Sequence, residues 1–190
     1  MKKRIKDVIG SLYKPPPGFR QAVALPRADA EQLPRLPSVA VISITAPERP
    51  PAALDGFEHL LWLSFADVDF LNPDISTRAK EKLLHAFKAT HAEQIHSFID
   101  QLPEHVSSVV VHCEGGFSRS CAVVLCLHKV YGYQVDLSEL AQANPSIVTV
   151  LMQPTARKTK KLPPRERQYL ATQFKNSILK LPRCGISWGG

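Results

Sequence analysis

A cysteine and an arginine stand six residues apart in this chain, with two glycines between them. Residues 109–120 read Val-Val-Val-His-Cys-Glu-Gly-Gly-Phe-Ser-Arg-Ser. Cys113 supplies a thiol, which is a nucleophile in its thiolate form. Gly115 and Gly116 allow the backbone to turn its N–H groups inward, and the Arg119 guanidinium can bind two oxygens of one phosphate group. These residue types predict a phosphate-binding loop built around a thiolate nucleophile.

The neighbouring sequence predicts a strand before this loop and a helix after it. Residues 107–112 are a β-branched run typical of a strand that is covered on both faces. Residues 119–128 are largely apolar and predict a helix. In α/β sheets the carboxyl end of a strand and the N-terminus of the next helix meet at one edge, where the helix dipole favours an anion. We therefore expect Cys113 at a site where the helix terminus, the loop amides and Arg119 all favour the thiolate.

This pattern resembles the signature of the cysteine-dependent protein tyrosine phosphatase superfamily, in its compact, dual-specificity-like branch of bacterial and phage type. The matching residues are His112, Cys113, Gly116, Arg119 and Ser120. The resemblance implies that Cys113 and Arg119 are catalytic, that His112 organises the loop and that Ser120 donates a hydrogen bond to the sulfur. The implied phosphate-binding residues are Glu114, Gly115, Gly116, Phe117, Ser118 and Arg119. The competing interpretation is a buried cysteine in an unrelated α/β strand.

The same resemblance implies a general acid, normally an aspartate on a mobile loop upstream of the cysteine. The candidates are Asp67, Asp69 and Asp74, and Asp67 is preferred because it follows a predicted strand and lies in a Phe-x-Asp-Val arrangement. Asp67 lies 46 residues before Cys113, a longer spacing than compact relatives usually show. We expect residues 75–90 to absorb the difference as an inserted amphipathic helix or lid, with a second helix over residues 91–102.

One further departure from the family lies downstream of the loop. Compact dual-specificity members often carry a Pro-Asn pair after a Pro-x-Ile stretch, but here Pro145-Ser146-Ile147 is followed by Val-Thr-Val. The resemblance therefore supplies no asparagine to brace the loop.

Strand candidates alternate with helices along the chain, which predicts an α/β fold with a central, largely parallel sheet flanked by helices in a single domain. The strand candidates are residues 22–25, 38–45, 60–65 and 107–112. The prolines cluster towards the ends of the chain and place the phosphatase domain at residues 21–154. Residues 1–20 are predicted to be a basic N-terminal tail, and residues 155–190 a basic C-terminal extension with a helix.

Net charge is +7, and basic residues gather in both predicted tails. The simplest interpretation is solvated ends, and the alternative is recruitment to an anionic partner. Residues 2–13 also have the spacing of a short basic amphipathic helix. The chain has no apolar run long enough for a transmembrane segment, and its four cysteines lack metal-ligand spacing or the density of a disulfide framework. These features predict a cytoplasmic protein, in which Cys121 could form a reversible disulfide with Cys113.

The predicted function is hydrolysis of phosphotyrosine on a phosphorylated protein partner, and the alternative is a dual specificity that also accepts phosphoserine and phosphothreonine. The reaction implied by the resemblance passes through a phosphocysteine intermediate and uses no cofactor and no metal. Two alternatives use the same loop: a phosphoinositide or RNA 5′-phosphatase, which the acidic Glu114 disfavours, and a phosphate-binding pseudophosphatase, which the presence of Cys113, Arg119 and nearby aspartates disfavours.

Overall fold

Four parallel strands form the central layer of the molecule. The computed structural model describes residues 4–15 and 17–153. The strands are β1 (Gln21–Pro26), β2 (Val39–Thr45), β3 (His59–Ser64) and β4 (Ser108–Cys113), in the spatial order β1-β4-β2-β3. Every pairing between them is parallel. The predicted α/β class, with a central parallel sheet flanked by helices, is confirmed.

Helices cover both faces of this sheet. They are α1 (Ile5–Tyr13), α2 (Arg27–Ala30), α3 (Thr77–Glu81), α4 (Ala89–Gln101), α5 (Arg119–Tyr131) and α6 (Pro145–Met152), with 3₁₀ turns at Lys82–His85 and Leu137–Leu140. There is one hydrophobic core on each face of the sheet. Alternate residues of one strand pack in different cores, because successive side chains of a strand point to opposite faces. Ile42 and Ile44 pack with α4, α5 and α6, whereas Val39 and Val41 pack with α1 and α2. Coverage on both faces explains why every residue of β2 is buried.

Helix α1 lies within the segment predicted to be a basic N-terminal tail. Its Val8 and Leu12 side chains are buried in the same cluster as Val39 and Val41 of β2. The apolar side of this amphipathic helix therefore packs against the sheet, and its polar residues, such as Lys6, remain exposed.

The prediction of an inserted amphipathic helix over residues 75–90 is wrong, and its alternative, a lid, stays a prediction. The chain forms the short helix α3, capped by the Ser76 hydroxyl, then the Lys82–His85 turn, and becomes extended at Ala86 and Lys88 before α4 begins. The break has a physical cause, because the His85 carbonyl accepts a hydrogen bond from the Ala66 amide. It also turns Phe87 inward and leaves Leu84 78% exposed, so the two side chains do not share one helix face.

Several predictions fall on residues that the structure does not describe. The C-terminal extension, with its basic residues and predicted helix, lies outside the described residues, as do Lys2 and Lys3 of the N-terminal tail. The domain boundaries stay a prediction. Within residues 4–15 and 17–153, no helix combines the length and the apolar character needed to cross a bilayer.

Candidate active site

Cys113 is the last residue of β4, an interior strand between β1 and β2. Its side chain is only 2% exposed. The Gly116 amide donates a hydrogen bond to Sγ at 3.3 Å, and the Ser120 hydroxyl lies 3.2 Å from the same sulfur. Helix α5 begins at Arg119 as predicted, so its positive end lies beside the loop. These groups can stabilise a thiolate and can stabilise the sulfur again when it leaves.

The loop after Cys113 needs glycine at two positions. Gly116 has φ +72°, and a Cβ atom there would collide with the backbone of Leu25 and Pro26 in β1. A Cβ atom on Gly115 would collide with the ring of Phe117. The loop is therefore folded tightly against β1, which turns the Gly116 N–H towards the sulfur.

Arg119 is a buried cation with a free donor. The residue is 5% exposed, and Nη1 donates to the carbonyl oxygen of Phe65 at 2.9 Å. Its Nε is buried without a hydrogen-bond partner among the described residues and lies 3.8 Å from Oδ2 of Asp67. A buried guanidinium N–H without a partner is rare, and an oxyanion in the loop is a partner that would satisfy it.

Of the three predicted acids, the structure brings only Asp67 to the cysteine loop. Asp67 Oδ1 accepts hydrogen bonds from the Ser118 hydroxyl at 2.8 Å and from the Asn144 amide at 3.0 Å. Asp69 instead accepts a 2.6 Å bond from the Ser146 hydroxyl, at the start of α6. The carboxylate of Asp74 is exposed and makes no hydrogen bond or ion pair within the part of the chain described. Asp67 is therefore the candidate whose position fits a general acid for this loop.

The loop residue Glu114 is held by an ion pair at the edge of the site. Its carboxylate lies 3.4 Å from Nη1 of Arg27, which also donates through Nε to Glu31 at 2.9 Å. The side chain of Arg27 further donates to the carbonyl oxygens of Pro50 and Pro51. Arg27 thus fixes the loop and partly neutralises the charge of Glu114. Phe117, 53% exposed, lies at the outer end of the loop.

Sequence reasoning missed four residues that hold this site together. They are Arg27, Ser43, Asn144 and Ser146. Their partners lie far away in sequence, 69 to 87 residues, so no local pattern could have shown the contacts. Asn144 did carry a local signal, because an asparagine before a proline is a typical start of a helix. That signal identifies the cap of α6 but not its bond to Asp67.

His112 is completely buried, and its Nε2 lies 2.8 Å from the Ser43 hydroxyl on β2. Burial, followed by the nearby positive charge of Arg27, lowers the pKa of His112 to about 4 from 6.5. The imidazole is therefore neutral at pH 7, and its hydrogen bond to Ser43 ties β4 to β2 immediately before the nucleophile.

The lowered pKa of His112 predicts that the folded state becomes less stable in acid. The unfolded chain takes up the proton near pH 6.5 and the folded chain only near pH 4, so stability present above pH 6.5 is lost as the pH falls through this window. We expect the free energy of unfolding to fall by about 3 kcal/mol between pH 7 and pH 4 on account of this group. Urea unfolding at several pH values would measure it.

The matched variants are His112→Gln and His85→Gln, the second replacing an exposed histidine. His112→Gln should be less stable at pH 7 but should flatten the pH dependence, whereas His85→Gln should follow the wild type. Equal slopes for His112→Gln and wild type would contradict the assignment.

Comparison with known proteins leaves the family of this chain open. No protein-family model matches it, and no curated protein matches it. The functional interpretation therefore depends on the residues around Cys113 and their geometry.

Proposed function

We propose that this protein is a cysteine-dependent phosphatase that hydrolyses phosphotyrosine in protein substrates. One observation carries the proposal: the buried Cys113 sulfur accepts the Gly116 amide hydrogen bond at the end of β4, and Arg119 at the other end of the same loop has a buried Nε that makes no hydrogen bond among the described residues. A nucleophile, loop amides and a guanidinium donor are the groups that phosphoryl transfer through a thiolate requires.

In the first step the Cys113 thiolate attacks phosphorus as the bond to the leaving oxygen breaks. The Arg119 guanidinium and the loop amides hold the equatorial phosphate oxygens and spread their charge. Asp67 gives its proton to the leaving phenolate, which departs as the phenol. The products of this step are a phosphocysteine and the Asp67 carboxylate.

In the second step a water molecule attacks the phosphorus of the phosphocysteine. Asp67 now acts as the base and takes a proton from the water, while the P–S bond breaks and inorganic phosphate forms. The Ser120 hydroxyl, 3.2 Å from Sγ, donates to the departing sulfur and so stabilises the regenerated thiolate. The enzyme returns to its starting protonation state.

Phosphotyrosine is the proposed first substrate, with phosphoserine and phosphothreonine as further substrates. The exposed ring of Phe117 at the outer end of the loop offers an apolar contact for an aromatic leaving group. The proposed location is the cytoplasm, because the four cysteines of the sequence lack the density of a disulfide framework.

The test is the pH profile of p-nitrophenyl phosphate hydrolysis in the presence of a chelator. Wild type should be active, and its kcat should decrease at high pH, where the general acid has lost its proton; we call this decrease the alkaline fall. Asp67→Asn should lower kcat by about 10²-fold or more and should not show the alkaline fall. Asp69→Asn and Asp74→Asn, measured in parallel, should keep the alkaline fall.

Two results would contradict this assignment. If Asp69→Asn or Asp74→Asn lost the alkaline fall and Asp67→Asn kept it, the general acid would be another aspartate. A wild type that binds phosphotyrosine without hydrolysing any aryl phosphate would be a binding protein.

A further inference from the structure

The first turn of α6 holds the loop that carries the predicted acids. Asn144 Nδ2 donates to Oδ1 of Asp67 at 3.0 Å. Two residues later, the Ser146 hydroxyl donates to Asp69 at 2.6 Å and accepts from the Leu71 amide at 2.9 Å. Each of the two aspartates after β3 is thus bound by one side chain at the start of α6.

The orientation of the Asn144 amide is fixed by its other contacts. Its Oδ1 accepts hydrogen bonds from the Ser146 amide at 3.0 Å and the Ile147 amide at 3.2 Å, and so caps α6. An amide whose oxygen faces two N–H donors must present its NH₂ group to the carboxylate. The side chain is also buried, and its own backbone N–H donates to the Ser118 carbonyl at 3.4 Å. Asn144 therefore lies between the helix, the cysteine loop and Asp67, with no freedom to flip.

The contacts of Asp67 distinguish its two oxygens. Oδ1 accepts from both Ser118 and Asn144, and two donors occupy both lone pairs of a carboxylate oxygen. Oδ2 makes no hydrogen bond among the described residues and lies 3.8 Å from Nε of Arg119. The oxygen that is free to carry a proton is therefore Oδ2, on the side of the guanidinium that would hold the phosphate.

We propose that Asn144 is a positioning residue that, with Ser118, fixes Oδ1 of Asp67 so that Oδ2 delivers the proton to the leaving group. The proposal rests on the phosphatase function proposed above. It assigns Asn144 a role in positioning the carboxyl group that transfers the proton, as well as in the capping of α6. A cap alone would not act on the acid, whereas the bond from Nδ2 stabilises the Asp67 carboxylate directly.

The charges around Asp67 allow a clean test. Arg119 on α5 is the one cationic side chain within 4 Å of its carboxylate oxygens in the described part of the chain, and the neighbouring Asp69 accepts a hydrogen bond from Ser146. Asn144→Asp keeps an oxygen to cap α6 but replaces the donor by a negative charge. Asn144→Ser keeps the capping oxygen, adds no charge and is too short to reach Asp67.

We expect both variants to move the alkaline fall of kcat to higher pH, because a carboxylate without its donor keeps the proton longer. Asn144→Asp should move it by about one pH unit or more, and Asn144→Ser by less. Misplacement of the acid should lower kcat for phenyl phosphate by about tenfold or more, with a smaller effect on p-nitrophenyl phosphate, whose leaving group needs less help.

The control is Asn72→Asp, which adds one negative charge to the loop that carries Asp67. Asn72 is exposed and does not touch Asp67. It should leave the alkaline fall within about 0.2 pH units of the wild type, as expected for an exposed, screened charge. Thermal unfolding of each variant would show that the fold is kept, and Asn144→Ser decides the question if Asn144→Asp does not fold.

An unmoved alkaline fall in the folded Asn144 variants, or an equal shift in Asn72→Asp, would overturn the role of Asn144 while the phosphatase function stands. A wild type without aryl phosphatase activity would overturn both proposals at once. The two failures are therefore distinguishable in one set of measurements.

Discussion

Replacing Cys113 by serine should abolish phosphate-ester hydrolysis, with a loss of kcat on the order of 10⁴-fold or more. The serine hydroxyl is a weak nucleophile at neutral pH, and among the described residues no histidine or carboxylate is hydrogen-bonded to Sγ to activate an oxygen at this position. The Gly116 amide and Arg119 stay in place, so Cys113→Ser should still bind phosphotyrosine. Steady-state hydrolysis of p-nitrophenyl phosphate and calorimetric titration with phosphotyrosine would measure the two properties.

Cys126→Ser is the matched control for this prediction. Cys126 is also a buried thiol, but it lies further along α5 and its sulfur faces the Leu151 carbonyl. This variant should keep turnover per folded molecule. A Cys113→Ser protein that hydrolyses the ester at a rate near that of the control would show that the thiol is not the nucleophile.

The second large effect is expected at Gly116, where alanine should destabilise the fold by about 3 kcal/mol or more. Two costs add. The backbone has φ +72°, and the new Cβ would collide with main-chain atoms of Leu25 and Pro26, which cannot rotate away as a side chain can. Any relaxation must move the loop off β1, so the amide bond to Cys113 should also be lost. Urea unfolding and phosphotyrosine binding would show both consequences.

A variant at Gly132, the C-cap of α5, distinguishes the effect of the positive φ from the effect of the collision. It has φ +74°, nearly the value at Gly116, but a Cβ there would meet nothing within 4 Å. Gly132→Ala should therefore cost only about 1 kcal/mol and leave activity intact. Equal destabilisation by the two alanines would mean that the loop does not press on β1 as described.

Most of the sheet could be predicted from the sequence because each strand is marked by its own residues. The predicted strand 38–45 differs from β2 (Val39–Thr45) by one residue at its start, and the predicted strand 107–112 differs from β4 (Ser108–Cys113) by one residue at each end. These runs are buried on both faces, and their short length and β-branched residues favour a strand over a helix. The start of α5 at Arg119 was predictable for a similar reason, since the glycines end the strand and an apolar helix pattern follows.

The segment between β3 and α4 could not be predicted correctly, because a tertiary contact decides it. Leu83, Leu84 and Phe87 have helical spacing, but the bond from Ala66 to the His85 carbonyl and the burial of Phe87 require a turn and an extended stretch. The network around Asp67 was unpredictable in the same sense. Asn144 and Ser118 reach this carboxylate from 77 and 51 residues away, and only the folded sheet brings them together.

The strand order has a consequence for how the protein folds. β4 is the last of the four described strands along the chain, yet it lies between β1 and β2, and Gln21 of β1 pairs with Ser108, 87 residues later. During synthesis the first three strands leave the ribosome before their central neighbour exists, and pairing at such sequence distances is slow. Among the described strands β1 pairs only with β4, so β1 cannot join the sheet until β4 has been synthesised. Because Cys113 ends that strand and Gly116 rests on β1, the reactive thiol acquires its surroundings only as the sheet closes, and phosphate binding becomes a direct report that folding is complete.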